Sequence, residues 1–356
     1  MALEAGHGKR ASIADVARLA GVSLATVSNV VNGIGRVAPE TREKVSAAVE
    51  ALGYRPNGIA ASLRNRRSRL IGMVVPAVTN ALFAEMVHEF ETLATADGYG
   101  ITLVTSDEDP EHERERILAL LSRQIDGLII LPAADDSLGA GLDPIALPPT
   151  VVLDRGLGLS AFDTVGLDNV AGGYAAARHL IELGHTAIAV VAPALRLASM
   201  RDRIAGVEQA MAEAGRQGRA RVLLGGETME GLRRATEQEL RRPDRATAVF
   251  TTSNVATLGA IKAIHALELS MPRDVSLVGF DDYDWMTALR PYVSAVGQPI
   301  GSMAAKAWNI LLRRLDAGND TTPAEREHTQ MEGLLRVRES TGRPTNRIAR
   351  KPVVSR

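Results

Sequence analysis

The 356-residue chain contains no cysteine and few aromatic residues: five Phe, five Tyr and two Trp, 3% in all. Without cysteine there is no disulfide framework, no thiolate nucleophile and no Cys-ligated zinc, and the composition fits a reducing cytoplasm. Scarce aromatics exclude large stacking surfaces and leave branched aliphatics and Ala to fill the interior, at 46% hydrophobic content. No uninterrupted apolar run reaches the ~18 residues that span a bilayer, so no membrane partner is expected. Lys9 and Arg10 are not followed by an apolar stretch, so a secretory signal is not expected either. P-loop, GxGxxG and GxSxG patterns are missing. His179 and His185 flank Glu182 but fall on different helical faces, and the Asp281–Asp284 cluster lacks the ligand ladder of a calcium loop. No catalytic residue, cofactor or metal is expected.

Charge of one sign is lacking overall, with a formal net charge of −1, but its distribution is uneven. Residues 1–70 carry 11 Lys and Arg against 5 Asp and Glu, and the remainder 30 against 37. A basic head on an acidic body suits a polyanion contacted at one end, although clustered charge on a solvated face gives the same count. The length suits two or three compact units of roughly 100–150 residues each.

Ser12 to Asn32, SIADVARLAGVSLATVSNVVN, is the densest signal. Ser12 with Asp15 forms a capping-box pattern, and Val16, Leu19 and Ala20 supply the apolar face of a first helix. An Ala20-Gly21-Val22 corner follows. Ser23 caps a second helix in which Val27, Val30 and Val31 point inward and Asn32-Gly33 make the stop. A segment this short buries both apolar faces only if its helices cross sharply, which is the form of a helix-turn-helix. The outward residues of the second helix are Leu24, Ala25, Thr26, Ser28 and Asn29. A third helix starts at Pro39, runs through Val45, Ala48, Val49 and Leu52, and ends at Gly53. The stretch GIAASLRNRRSR is too short for a core and reads as a linker that becomes helical when supported.

From Leu70 onward, strand-length apolar runs alternate with helix-length segments. LIGMVVP, GITLVTS, GLIILP and TVVLDR form one series, and AIAVVAP, ARVLLG, TAVFTT and VSLVGFDD a second. Continuous apolar strands between amphipathic helices imply parallel sheets covered on both faces, and two series imply two similar α/β lobes. Ligands in such sheets sit beyond the carboxyl ends of the strands, so the default site is a cleft between the lobes.

IADVARLAGVSLATVSNVVN, YRPNGIAASL, VTNALFAEM, DGLIILP, VLDR, LDNVAGGYAAARHLIELGH, RDRIAGV and DVSLVGFDD appear in one order. Together they resemble the LacI-type (lactose and galactose repressor) family of bacterial transcription regulators over residues 12–340. The resemblance implies a small all-α helix-turn-helix head (12–55) after a leader (1–11). A hinge helix or linker (56–68) follows, then an effector-binding and dimerisation domain (69–340) and a basic tail (341–356). It implies a core of two doubly wound parallel-sheet lobes like those of periplasmic binding proteins. The implied function is a cytoplasmic, nucleoid-associated repressor that binds double-stranded operator DNA as a homodimer and is switched by a small molecule. The alternatives are a regulator with a nucleobase or other non-sugar effector, or a small-molecule binding module without operator activity whose head serves only to dimerise. Residues beyond Val337 show no heptad, which favours a dimer over a coiled-coil tetramer.

By the resemblance, Leu24, Ala25 and Asn29 occupy base-reading positions: Asn matches adenine bidentately, and Leu and Ala offer apolar contact to thymine methyls. Many members carry Arg where this chain has Asn29. Ser12, Ser23, Thr26, Ser28, Asn32 and Thr41 are candidate phosphate contacts, with helix capping an equal reading for Ser12 and Ser23. Asn57, Ala60 and Leu63 form the minor-groove hinge, Leu63 being the wedge that pries a base step open. The effector positions are Asn80, Leu82, Phe83, Asp154, Arg155, Ser199, Arg203, Ser253, Asp281 and Gln298. Asp168 and Asn169 are expected to stabilise a crossover between lobes, and Asp282 to cap or serve a hinge. Gly225-Gly226 stand where many relatives have an aromatic residue, which favours a sugar or small polyol over a nucleobase or other flat-ring effector.

Overall fold

The computed structural model describes residues 11–31, 36–54, 67–135, 138, 141–216, 220–288, 290–317 and 325–345. The chain divides into two units, Met1–Ser68 and Arg69–Arg356. Asn32, Asn57, Ala60 and Leu63 lie outside the described residues, as do most of the expected leader, linker and tail.

In the first unit, α1 (Ile13–Ala20) opens on a complete capping box. The Ser12 Oγ accepts from the Asp15 N–H at 3.3 Å, and the Asp15 carboxylate accepts from the Ser12 N–H at 2.9 Å. Gly21, at φ +67°, ends the helix in the left-handed conformation a β-carbon would penalise. The axis bends by 104° into α2 (Leu24–Val31), within the range of a helix-turn-helix. α3 (Pro39–Ala51) starts on Pro39 and closes a core of Val16, Ala17, Val27, Val45 and Ala48. Leu19 does not belong to that core and is 57% exposed. The stripe that faces inward is Ile13, Val16, Ala17 and Ala20, a strict helical spacing that leaves Leu19 off the buried side.

Among the described residues, the second unit holds two six-stranded sheets. The first comprises β1 (Leu70–Val75), β2 (Gly100–Thr105), β3 (Gly127–Ile130), β4 (Thr150–Leu153), β5 (Asp163–Leu167) and β11 (His328–Met331). Their order is β2-β1-β3-β4-β5-β11 and all are parallel. The second comprises β6 (Ile188–Ala192), β7 (Ala220–Leu224), β8 (Ala248–Thr251), β9 (Ser276–Phe280), β10 (Ser294–Gly297) and β12 (Leu334–Arg336), ordered β7-β6-β8-β9-β10-β12. Only β12 runs antiparallel to its neighbour. The two orders correspond position by position, so the lobes repeat one plan.

Each sheet is covered on both faces. In the first lobe Ile71, Met73 and Val75 pack under α4 (Ala81–Ala96) and α10 (Ile300–Ala317), while Val74 packs under α5 (Pro110–Leu121). In the second, Ile188, Val190 and Ala192 lie under α6 (Asn169–Glu182) and α7 (Ala198–Glu213). Ala189 and Val191 lie under α8 (Met229–Leu240) and α9 (Asn254–Ala266). Burial on both faces explains the unbroken apolar runs. α6 and α7 touch backbone to backbone: a β-carbon on Gly173 would stand 2.0 Å from the Arg203 carbonyl oxygen, and one on Gly206 the same distance from that of Val170.

Among the described residues, the chain passes between lobes three times, from β5 to α6, from β10 to α10 and from β11 to β12. The alternation of apolar runs announces none of β5, β10, β11 or β12, nor α10. These strands have three to five residues and mix Gly, Ser, Thr or charge into short apolar stretches.

Candidate functional site

On the head, Leu24 is 52% exposed, Ala25 and Asn29 are exposed, and Thr26 is half-buried. The three expected base-reading residues therefore share one open face of α2. Ser28 is buried, contrary to its expected outward position, because it follows Val27 on the side of α2 turned toward α1 and α3. Ser12 and Ser23 are exposed, and both hydroxyls are engaged in capping: Ser23 Oγ accepts from the Thr26 N–H at 3.1 Å. Thr41 sits half-buried in the first turn of α3.

In the second unit, nine of the ten expected effector positions line one cavity of about 180 Å³: Asn80, Leu82, Phe83, Asp154, Arg155, Ser199, Arg203, Ser253 and Asp281. Gln298 lines the adjoining cavity and donates from Nε2 to Asp281 Oδ1 at 2.7 Å. These residues converge because strand ends and helix starts converge. Asn80 and Ser253 cap α4 and α9 at the mouths of β1 and β8. Asp154 and Asp281 follow β4 and β9, which hold equivalent places in the two sheets. Both adopt left-handed backbone, at φ +62° and +67°. Asp154 is the centre of a γ-turn of the rarer hand, closed by the Arg155 N–H on the Leu153 carbonyl at 2.6 Å. Strain of this kind is found where a side chain must be aimed rather than merely accommodated.

Asp154 is 6% exposed, and its Oδ1 is buried with no hydrogen-bond partner among the described residues. Burial pushes its carboxyl above the usual range, against the opposing pull of Arg155 and Arg203. Arg203, 3% exposed, lies with its guanidinium carbon 3.5 Å from the centre of the Phe280 ring. Its Nε donates to Asn169 Oδ1 at 2.8 Å and its Nη1 to the Thr252 carbonyl at 2.6 Å, which leaves Nη2 for the cavity. Burial lowers its affinity for its proton, and Asp281 and Asp154 counter that effect. Asn169 thus positions Arg203 as well as bonding the Leu167 carbonyl, and the Asp168 side chain caps α6. Asp282 takes two bonds from Arg338, at 2.6 and 2.7 Å, and pairs with Arg336 at 3.1 Å, so it holds the end of β12, the strand the third crossover enters, and caps no helix among the described residues.

The strand-end reading missed Glu108, Arg196 and Glu227, which also line the cavity. Glu108 accepts a two-pronged bond from Arg155, at 2.5 and 3.0 Å, and a third from Arg196 at 3.1 Å. Burial raises its carboxyl, but the two guanidinium groups outweigh it and hold the group below the usual range. Its position just beyond β2 satisfies the same strand-end rule that selects Asp154, so the signal was present.

Residues 12–57 match the family described as "Bacterial regulatory proteins, lacI family", and residues 177–341 match the "Periplasmic binding protein-like domain". The HTH-type transcriptional repressor PurR of Klebsiella pneumoniae (strain 342) is 35% identical over 308 residues, covering 86% of this chain and 90% of that protein. The Lac repressor dimer bound to operator and the anti-inducer ONPF superposes with a TM-score of 0.82 at 27% identity, over 94% of this chain and 100% of that one. The transcriptional regulator CelR in complex with cellobiose gives a TM-score of 0.67 at 29% identity, over 93% and 100%. The chain belongs to the lacI family of bacterial regulatory proteins, as a DNA-binding transcriptional repressor with a ligand-binding domain, and is not an enzyme.

Proposed function

We propose that the protein is a homodimer that reads a palindromic operator with Leu24, Ala25 and Asn29 and is switched by a sugar or sugar derivative bound between its lobes. The observation that carries the ligand class is the facing pair Asp154 and Asp281. Two buried carboxylates aimed into one cavity ask for hydrogen-bond donors on both sides of the ligand, which a polyol supplies. A buried acceptor without a donor, such as Asp154 Oδ1, costs roughly 1–3 kcal/mol, and a ligand hydroxyl recovers that loss. Among the described residues, Phe83 is the one aromatic residue lining the cavity and is itself 1% exposed, so a flat base finds no open ring to stack on. At about 180 Å³ the space is smaller than the ~300–1,000 Å³ of ligand pockets in general, which suits a compact ligand. The cellobiose complex of CelR and the operator complex of the Lac repressor dimer support the reading by likeness.

In this reading Ser12, Ser23, Thr26 and Thr41 approach phosphates, and Asn57, Ala60 and Leu63 form the minor-groove hinge. Ligand and operator are linked, so each must change the other's affinity by one common factor. The test is a thermal-shift screen against sugars, sugar acids and nucleobases, run beside selection of bound duplexes from a random pool. A sugar at about 100 times its Kd stabilises the fold by ~2.7 kcal/mol, and Asp281→Ala abolishes that response. Stabilisation by a nucleobase alone overturns the ligand class; failure to select any palindrome, at low salt, overturns the operator reading.

A further inference from the structure

We infer that the rim where the loops after β2 and β3 meet the start of α7 is a polar latch that holds the two lobes closed before any ligand arrives. α4, α5, α6, α8 and α9 each open on a residue whose own side chain caps the helix: Asn80, Asp109, Asp168, Thr228 and Ser253. α7 opens on Leu197, which has no acceptor to offer. Its Ala198 N–H donates instead to Asp135, which belongs to the other lobe. Asp135 also pairs with Arg201 at 3.4 Å. Just before the helix, Arg196 crosses the same rim to Glu108 at 3.1 Å and to the Ala133 carbonyl at 3.3 Å.

The division of labour is one-sided. In the bonds that cross this rim among the described residues, the first lobe supplies each acceptor and the second each donor, so the facing groups are complementary. Glu108 is held in place from its own lobe by the two-pronged bond from Arg155 and does not need Arg196 to fix its direction. A surface ion pair alone holds little. Capping is different, because opening the lobes takes the side-chain acceptor from the first N–H of α7 and leaves it only water. Asp135 and Arg196 are positioning residues: they set the closed geometry in which Asp154 and Asp281 face one another. The consequence for switching rests on the cleft being the ligand site; the latch itself does not.

The test uses the full chain without ligand and follows hydrogen exchange at the Ala198 amide. Asp135→Ala speeds that exchange about tenfold, the size of a typical lost N-cap, whereas Asp135→Asn, which keeps an acceptor oxygen, changes it much less. Arg196→Ala does not touch the Ala198 amide, yet it speeds exchange there as well if both contacts close one latch. Equal exchange in the wild type and Asp135→Ala overturns the proposal, and so does exchange at Ala198 that ignores Arg196→Ala. Since no ligand is present, a cleft that takes no sugar leaves this result intact, and an unlatched rim leaves the sugar reading intact.

Discussion

Replacing Arg203 by methionine is the sharpest test of how the cleft is built. Methionine fills much of the same volume against Phe280 but removes the charge and both hydrogen bonds. The Asn169 Oδ1 and the Thr252 carbonyl then lose donors that now stand at 2.8 and 2.6 Å. Each buried acceptor left short of a partner costs ~1–3 kcal/mol, and the guanidinium over the Phe280 ring adds up to ~2 kcal/mol. Asp154 and Asp281 also lose their shared counter-charge. Relief of the guanidinium's own desolvation works the other way, since burial is the largest influence on it. The balance is that of a broken buried pair, about 3–5 kcal/mol, or a fall in Tm of roughly 6–10 °C. The chain's two tryptophans make the assay local: Trp285 packs beside the second lobe's core and Trp308 lies within the first lobe's. Urea unfolding followed by fluorescence of single-tryptophan variants therefore reports which lobe weakens, and the loss should appear in the second. Arg203→Lys recovers less than half of it, because an ammonium cannot stack flat on Phe280 while bonding in two directions. Adding Asp281→Asn to Arg203→Met recovers stability, since the carboxylate stranded by the first change is removed. A methionine variant within 1 kcal/mol of wild type, or strict additivity in the double variant, refutes the reasoning.

Ser23 decides between capping and phosphate contact: Ser23→Ala lowers the head's stability by about 1 kcal/mol, whereas Ser23→Asp keeps the cap but weakens DNA binding by repulsion; unchanged affinity in Ser23→Asp leaves capping as its whole role. Gly206→Ala forces α6 and α7 apart, since the new methyl would meet the Val170 carbonyl at 2.0 Å, and chemical denaturation should show a loss of ~3 kcal/mol or more, comparable to severe overpacking. Asp154→Asn changes the pH profile. Burial raises the folded carboxyl above its unfolded value near ~3.9, so the wild type binds its proton more tightly when folded and loses stability as pH rises from about 4 through the folded value. The amide escapes that loss, so the stability of Asp154→Asn relative to wild type grows with pH over this window; a difference that stays constant between about pH 4 and pH 8 contradicts the placement of Asp154 as a buried, donor-poor carboxyl.

The parts of the fold that were legible are those whose signal is local. A capping box, a glycine needing positive φ and a proline at the first helical position are each decided within four residues, and the head obeys all three. Leu19 and Ser28 fall on other faces than expected because an eight-residue helix gives barely two turns of periodicity, and since each residue turns the helix by about 100° a one-position slip moves a side chain off its face. Most cleft residues were legible because the ends of parallel strands must face one way. Glu108 and Arg196 obey the same rule but carry opposite charges in different lobes, and only the folded chain shows that they meet. The crossover strands were illegible for a stronger reason. β11 pairs with β5, and β12 with β10, across sequence separations far longer than any pattern window, and their exposed edges relax the demand for apolar side chains.

Those illegible segments bear on how a ligand acts. Asp281 accepts from Gln298, which begins the second crossover, and Asp282 is bound by Arg336 and Arg338 at and just beyond β12, which completes the third. The strand end that offers a carboxylate to the cavity is therefore bonded to the start of the second connection and to the end of the strand that the third one enters. The side chain of Asp154, its counterpart in the first lobe, has no such tie among the described residues beyond an ion pair with the neighbouring Arg155 at 4.0 Å. A ligand shifts a conformational equilibrium only by the difference in its affinity for the two states. A ligand bonded to Asp154 alone moves with one lobe and gains nothing from closure. One bonded to both aspartates gains its second set of bonds only when the lobes approach, and it draws that gain through a carboxylate already fastened to the start of the second crossover. In the proposed reading, where the cleft holds the ligand, the asymmetry between two otherwise equivalent residues is what lets occupancy bias the arrangement of the lobes.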